Sequence, residues 1–287
     1  MMKVMQKTIL IGDCSKRLRE LPSGSVRTCA TSPPYWGQRN YENAKAQLGL
    51  ELTPKEYVDN LVRIFHEVRR VLTDDGTLWV NIGDSYVRDP RKGCSGNGKE
   101  SAYLGSCRAT RQTTHPIPSG LKPKDLVGIP WMLAFALRDD GWYLRNDGIW
   151  NKPNAKPDGV KDRLTTSHEY VFLLAKSERY YYNAKAIAEP TVCGTKRRNC
   201  RSVWNFNTTP YAGKHYASFP QGIPERCILA GSQIGDTVLD PFAGSGTTLS
   251  AAERLGRGYI GIELNEKYKS LMQERLDALT QQAADLC

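Results

Sequence analysis

Asp240-Pro-Phe-Ala-Gly-Ser-Gly-Thr-Thr248 follows the short apolar run Thr237–Asp240 and leads into a stretch with helical spacing, Thr247–Leu255. Glycines in such a turn let the backbone approach a ligand closely and adopt conformations that other residues resist. The acid at the strand end offers an acceptor to an ammonium or a hydroxyl. On the next strand, Tyr259–Glu263, the terminal Glu263 offers a carboxylate that suits the two hydroxyls of a ribose. This is the logic of nucleotide-binding α/β sheets, which hold their ligand at the carboxyl ends of the strands. The turn has no lysine before its threonine pair, so the Walker pattern fails, and its glycine spacing departs from G-x-G-x-x-G. A carboxylate so near the ligand suits a cationic amino-acid moiety better than a pyrophosphate.

Working outward, a helix at Ile223–Ala230 precedes the turn and a helix at Glu266–Leu279 closes the chain. Toward the N-terminus come a strand at Lys7–Gly12, a short helix at Ser15–Leu21 and a strand at Val26–Thr31. A helix at Lys55–Leu72 follows, with apolar spacing through Tyr57, Leu61, Ile64, Phe65 and Val68, and then a strand at Thr77–Ile82 with Asp84 and Ser85 beyond its end. A helix at Asp125–Asp140 and a strand pair at Trp142–Trp150 and Tyr170–Lys176 fill the middle. The alternation predicts an α/β fold, a mostly parallel sheet with helices on both faces. The chain ends on a helix where a doubly wound sheet takes another strand, and it begins with a spare one. A circularly permuted sheet follows, with Lys7–Gly12 beside Tyr259–Glu263.

The 287 residues suit a single catalytic domain over 1–287. A net charge of +10 points to a polyanionic partner. The basic residues gather in two irregular stretches. One is an insertion at 87–123 with Arg88, Arg91, Lys92, Lys99, Arg108 and Arg111; the other, at 180–211, holds Lys196, Arg197, Arg198 and Arg201. No apolar run approaches the ~20 residues of a membrane span, and no export signal opens the sequence, which predicts a cytoplasmic protein. The spacings of Cys94 with Cys107 and of Cys193 with Cys200 fit neither a disulfide framework nor a metal site, so free thiols and no metal are expected.

DPFAGSGTT resembles the S-adenosylmethionine motif of the DNA amino-methyltransferases. The resemblance implies that Asp240, Pro241 and the turn Phe242, Ala243, Gly244, Ser245, Gly246 and Thr247 hold the methionine moiety, and that Glu263 holds the ribose. KHYASFP, Lys214–Pro220, is similar to a further cofactor motif of the family and adds His215, Ser218 and Phe219; Ser218 stands where Thr or Gln is commoner. LIGD, Leu10–Asp13, is similar to the family's opening segment, which implies that Asp13 reaches the adenine. Thr31, which closes the second strand, joins this cofactor set.

The turn Thr31-Ser32-Pro33-Pro34-Tyr35-Trp36 carries the chemistry. An exocyclic amine is a poor nucleophile because its lone pair is delocalised into the base. Acceptors aimed at its two N–H bonds localise that pair, and Ser32 Oγ with the Pro33 carbonyl supply them, stiffened by Pro34. Tyr35 offers a ring on which an extruded base stacks. SPPY resembles the family's catalytic motif in its form commonest among enzymes that methylate N4 of cytosine. DPPY is commoner for N6 of adenine, which stays open as the alternative. A C5-cytosine enzyme needs a Pro-Cys nucleophile, and no cysteine here follows a proline.

Catalytic motif first and cofactor motif last is the β-type order of the family. It implies a Rossmann-like S-adenosylmethionine-dependent methyltransferase fold with small irregular DNA-recognition insertions. WNKP (Trp150–Pro153) and HEYVFLLAK (His168–Lys176) match its later core motifs. The same order puts target recognition within 180–211, best at Ala184–Arg201, with Trp36, Lys196, Arg197, Arg198 and Arg201 as DNA contacts. The implied partners are double-stranded DNA, a cognate restriction endonuclease and a second copy of the chain.

Overall fold

A computed structural model describes residues 5–37, 47–87, 117–191, 194–208 and 219–284. Its strands and helices, in chain order, are β1 (Lys7–Ile11), α1 (Cys14–Arg19), β2 (Val26–Thr31), α2 (Pro54–Val71), β3 (Leu72–Ile82), α3 (Ile129–Asp139), β4 (Tyr143–Asn151), β5 (His168–Ala175), β6 (Glu189–Pro190), β7 (Arg197–Arg198), β8 (Val203–Asn205), α4 (Gly222–Gly231), β9 (Thr237–Asp240), α5 (Thr247–Arg254), β10 (Gly258–Glu263) and α6 (Lys267–Ala284). An eight-stranded sheet runs in the order β1-β10-β9-β2-β3-β5-β4-β8. From β1 to β3 all neighbours are parallel. β5 then runs antiparallel to both β3 and β4.

β1 pairs with β10 in register Lys7↔Tyr259 to Ile11↔Glu263, the permuted arrangement expected. From β9 the chain moves outward to β10; from β2 it moves the other way, to β3. The order reverses between β9 and β2, and such a switch point opens a crevice at the carboxyl ends of its strands. Asp240 and Thr31 end those strands.

One face of the sheet is covered by α1, α2 and α3, whose Leu18, Tyr57, Leu61, Phe65 and Leu133 bury against Val80, Leu239 and Ile262. α2 starts where it does because Thr53 caps it. The Thr53 hydroxyl accepts from Glu56 N at 3.2 Å, the Glu56 carboxylate accepts from Thr53 N at 3.3 Å, and Pro54 occupies the first turn. The other face is covered by α4, α5 and α6. Among the described residues no helix is long and apolar enough to cross a membrane, and Cys14, Cys29, Cys200 and Cys227 are free thiols.

Two elements differ from expectation. α3 begins at Ile129 rather than Asp125, because Gly128 takes a left-handed φ of 84° and the Asp84 carboxylate accepts from Gly128 N at 3.0 Å and Ile129 N at 3.1 Å. A cap from a distant loop has no local signature. Within 180–211, expected to be irregular, the ribbon β6–β7 forms, and β8 extends the main sheet through the pair Trp150↔Trp204. The basic residues of 88–116 lie outside the described residues.

Candidate active site

β9 delivers Asp240 into the crevice with 1% of its surface exposed. Its Oδ1 accepts from Thr31 Oγ1 at 2.6 Å and from Phe242 N at 3.1 Å. Burial pushes its carboxyl above the ordinary range, against the lowering effect of hydrogen bonds from Thr31, Thr248 and Phe242. The turn beyond it bends through left-handed Gly244 (φ 53°) and Gly246 (φ 77°). Gly244 N donates to Glu263 Oε2 and Asn265 N to Glu263 Oε1, each at 2.8 Å. Burial pushes the Glu263 carboxyl up as well.

Asp13 arrives at the same place because Gly12 N donates to the Glu263 carbonyl at 2.8 Å. Its Oδ1 caps α1 through Ser15 N at 2.9 Å and Ser15 Oγ at 2.8 Å. Beside it the Cys14 thiol is pushed up to about 12, first by burial and then by the Asp13 charge. Ser245 and Thr247, expected at the cofactor, are buried, and Thr247 Oγ1 accepts from Arg275 of α6 at 3.1 Å. That contact turns the threonine side chain toward α6. Phe242 sets its ring edge-on to Phe65 at 6.4 Å. Phe219 lines a small cavity with Thr31, Asn81 and Ile223. His215 and Ser218 lie outside the described residues.

Ser32, Pro33, Pro34 and Tyr35 follow directly from β2, so the Thr31–Asp240 bond ties the SPPY turn to the end of β9. Tyr57 of α2 donates its hydroxyl to the Pro34 carbonyl at 2.7 Å and braces the turn. Tyr35 donates to Glu169 Oε2 at 2.5 Å, and Ser32 Oγ lies 3.5 Å from the Tyr35 hydroxyl. Asn81 of β3 donates to Glu169 at 3.2 Å and to the Tyr170 carbonyl at 3.1 Å. Lys152 completes the cluster with an ion pair to Glu169, its ammonium 4.4 Å from the Trp150 ring centre. Burial, and then the Glu169 charge, push the Tyr35 phenol well above its ordinary value.

Asn81, Lys152 and Glu169 were not among the residues expected here. Polarity out of place marks two of them, an asparagine in LWVNI and a glutamate near the start of the mostly apolar β5, while Lys152 and Glu169 fall within WNKP and HEYVFLLAK, matched above without a role for either residue. Trp36, expected at the DNA, needs correcting. It is 6% exposed and donates Nε1 to the Glu51 carbonyl at 2.9 Å, so it packs behind the turn.

Residues 26–274 match the family of N6/N4 methyltransferases described as DNA methylase. The chain belongs to that family. It is 53% identical, over 94% of its length and 87% of the relative's, to the type II methyltransferase M.Cfr9I of Citrobacter freundii. It is 50% identical to M.SmaI of Serratia marcescens over 93% of this chain and 90% of that one. Among solved structures, TTHA0409 of Thermus thermophilus, complexed with S-adenosyl-L-methionine, superposes with a TM-score of 0.65 at 26% identity, over 95% of this chain and 93% of that one. The cytosine-N4-specific PvuII DNA methyltransferase shares the fold at a TM-score of 0.68 and 21% identity, over 94% of this chain and 86% of that one.

In this DNA methylase the basic residues at 196–201 divide into two groups. Lys196 and Arg197 are exposed, and Arg197 donates to the Ala188 carbonyl. Arg201 and Arg198 reach the Glu189 carboxylate, at 3.3 Å and 3.9 Å. Arg226 joins them there at 3.9 Å while lying over the Trp204 and Phe206 rings. Glu189 therefore organises this side of the methylase, and Trp204, 5% exposed, packs in the core.

Gly83 marks how tightly the Tyr35 ring is held. A Cβ there would meet Tyr35 Cε2 at 2.9 Å and the Glu169 carboxyl carbon at 3.4 Å. Gly83→Ala is expected to shift the ring and lower methyl transfer by up to about a hundredfold, with methyl-donor affinity unchanged. Single-turnover rates beside equilibrium binding test this; a rate near wild type would show that the ring has room to move.

Proposed function

We propose that the protein transfers a methyl group from S-adenosylmethionine directly to N4 of a cytosine flipped out of double-stranded DNA. The observation that carries this reading is the 2.6 Å bond from Thr31 to Asp240, which joins the SPPY turn to the cofactor strand. It sets the groups that serve the amine beside those that serve the donor.

The residues at the switch point fit S-adenosylmethionine. Asp240 and Glu263 are carboxylates raised by burial, and no lysine or arginine among the described residues pairs with either. A ligand that brings an ammonium and ribose hydroxyls meets both needs. When bound, S-adenosylmethionine supplies an electrophilic methyl on a sulfonium. Asp240 takes its ammonium, Glu263 its ribose, and Asp13 stands at the adenine side. The main chain from Pro241 to Thr247 walls the methionine, with Phe219 beside it; the resemblance adds His215 and Ser218 to the same cofactor set.

Ser32 Oγ and the Pro33 carbonyl accept the two amine N–H bonds and make the lone pair available. Tyr35 supplies the stacking floor, with its hydroxyl anchored on Glu169. A serine hydroxyl brings no negative charge to the amine, which favours cytosine over adenine. Lys196, Arg197, Arg198 and Arg201 of the 180–211 region, with the 87–123 insertion, hold phosphates and read bases. The type II names of the relatives support a cognate restriction endonuclease as a partner; a cytoplasmic setting and a second copy of the chain belong to the same reading.

The test is product analysis. Protein, labelled donor and DNA are incubated, the DNA is digested, and the nucleosides are separated. N4-methylcytosine is the expected product. N6-methyladenine alone would overturn the choice of base and leave the mechanism standing, and label confined to RNA or protein would overturn the DNA substrate.

A further inference from the structure

The β4–β5 connection, residues 152–167, begins and ends in the catalytic cluster. Lys152 and Glu169 stand at its two feet, and Lys152 N closes it on the Ser167 carbonyl at 2.8 Å. The pair Asn151↔His168 lies at the same sheet edge as Ile82↔Tyr170, so the loop rises on the side where Thr31 ends β2. Near its β5 foot the loop carries Leu164, which is 91% exposed.

This loop is braced on both flanks. Asn154 Nδ2 donates to the Thr208 carbonyl at 2.9 Å, and Asn154 Oδ1 accepts from Thr208 N at 2.8 Å. On the other flank Asp162 pairs with Lys124, and Arg163 binds Asp158 at 2.6 Å. The Arg163 guanidinium lies 4.0 Å from the Tyr86 ring centre, and its Nη1 donates to the Leu164 carbonyl at 3.2 Å. The Leu164 backbone is thus tied to its anchored neighbour. Lys156 and Lys161 are exposed in the same loop.

Leu164 stands in water on the side of the sheet that carries the SPPY turn, in a loop that also presents two exposed lysines. The partner whose chemistry fits is a polyanion with an apolar interior reachable between its charges: a DNA duplex at an opened base step. We propose that Leu164 enters the base stack and fills the space left by the extruded target base, while Lys156 and Lys161 meet the flanking phosphates. Apolar wedges of this kind lower the cost of opening a step. The inference rests on the duplex substrate and flipped base proposed above.

The test uses the full chain and two duplexes carrying the site found by sequencing methylated DNA from expressing cells. One duplex is fully paired; in the other an abasic residue stands opposite the target, so that extrusion costs little. Leu164→Ala is expected to slow transfer on the paired duplex by roughly tenfold or more and to match wild type on the abasic one. Ile234→Ala removes an equally apolar side chain, 79% exposed before β9 at the opposite sheet edge, and should leave both rates unchanged. Equal rates for Leu164→Ala and wild type on the paired duplex would overturn the proposal, as would an equal loss on both duplexes. Wild-type protein that methylates neither duplex would instead overturn the underlying reading, and the wedge with it.

Discussion

Asp240→Asn is expected to weaken methyl-donor binding severely and, at the same time, to make the unliganded protein more stable. The side chain stays nearly isosteric, and its amide oxygen still accepts from Thr31 Oγ1 and Phe242 N. What disappears is a negative charge buried in the crevice. A charge-assisted bond to an ammonium is worth roughly twice a neutral one, and with the coulombic attraction at a desolvated site the loss should reach about a hundredfold or more in donor Kd. Titration calorimetry reads it directly.

The stability arm follows from the direction of the Asp240 shift. Its folded pKa is raised, so the folded state holds its proton at a pH where the unfolded chain has released it. Stability therefore falls as pH rises from the ordinary carboxylate value through the raised one, and the penalty is complete above that. Asparagine carries no such penalty. The excess stability of the variant should grow from acid toward neutral pH and then level off. Donor affinity of the wild type moves the opposite way, weakening as pH falls through the raised value, because the ammonium needs the charged carboxylate. Unchanged donor affinity in Asp240→Asn would remove Asp240 from the binding site.

The permuted sheet was legible because its signals are local. Buried parallel strands are short apolar runs, TVLD and GYIGIE among them, and a glycine-rich turn marks the cofactor crossover. Counting strands against helices then placed β1 beside β10. β8 was hidden for the opposite reason. Three residues, VWN, sit in a basic context, and only pairing with β4, far away in sequence, makes them a strand.

The site divides in the same way. Asp240, Glu263 and the SPPY turn each end a strand that the pattern reveals. Asn81, Lys152 and Glu169 come from β3, the residue beyond β4, and β5; Asn81 and Glu169 meet the Tyr35 hydroxyl, Lys152 pairs with Glu169, and the cluster exists only in the folded sheet. Trp36 misled because sequence adjacency to Tyr35 does not mean a shared face. The Tyr35 hydroxyl turns toward β3 and β5, while the Trp36 indole turns back to Glu51.

That geometry gives the second large effect. Tyr35→Ala is expected to bind S-adenosylmethionine like wild type, because the residues proposed to hold the donor, Asp13, Asp240 and Glu263, lie at the ends of β1, β9 and β10. Transfer should fall by about a hundredfold, since stacking of a base on an aromatic ring is worth roughly 1–3 kcal/mol and the flipped base also loses its orienting surface. Tyr35→Phe separates the ring from the hydroxyl. It keeps the stacking face and gives up the bond to Glu169. That bond exists before and during transfer, so removing it takes nothing specific from the transition state; the remaining cost is looser ring placement, roughly fivefold or less. Glu169 keeps Lys152 and Asn81 as partners in that variant, so the cluster does not lose its charge balance. Single-turnover rates at saturating donor order the three proteins as wild type, then Phe, then Ala. If Phe proved as poor as Ala, the hydroxyl would be the working part of Tyr35, and the amine would be served through Glu169 rather than across the ring.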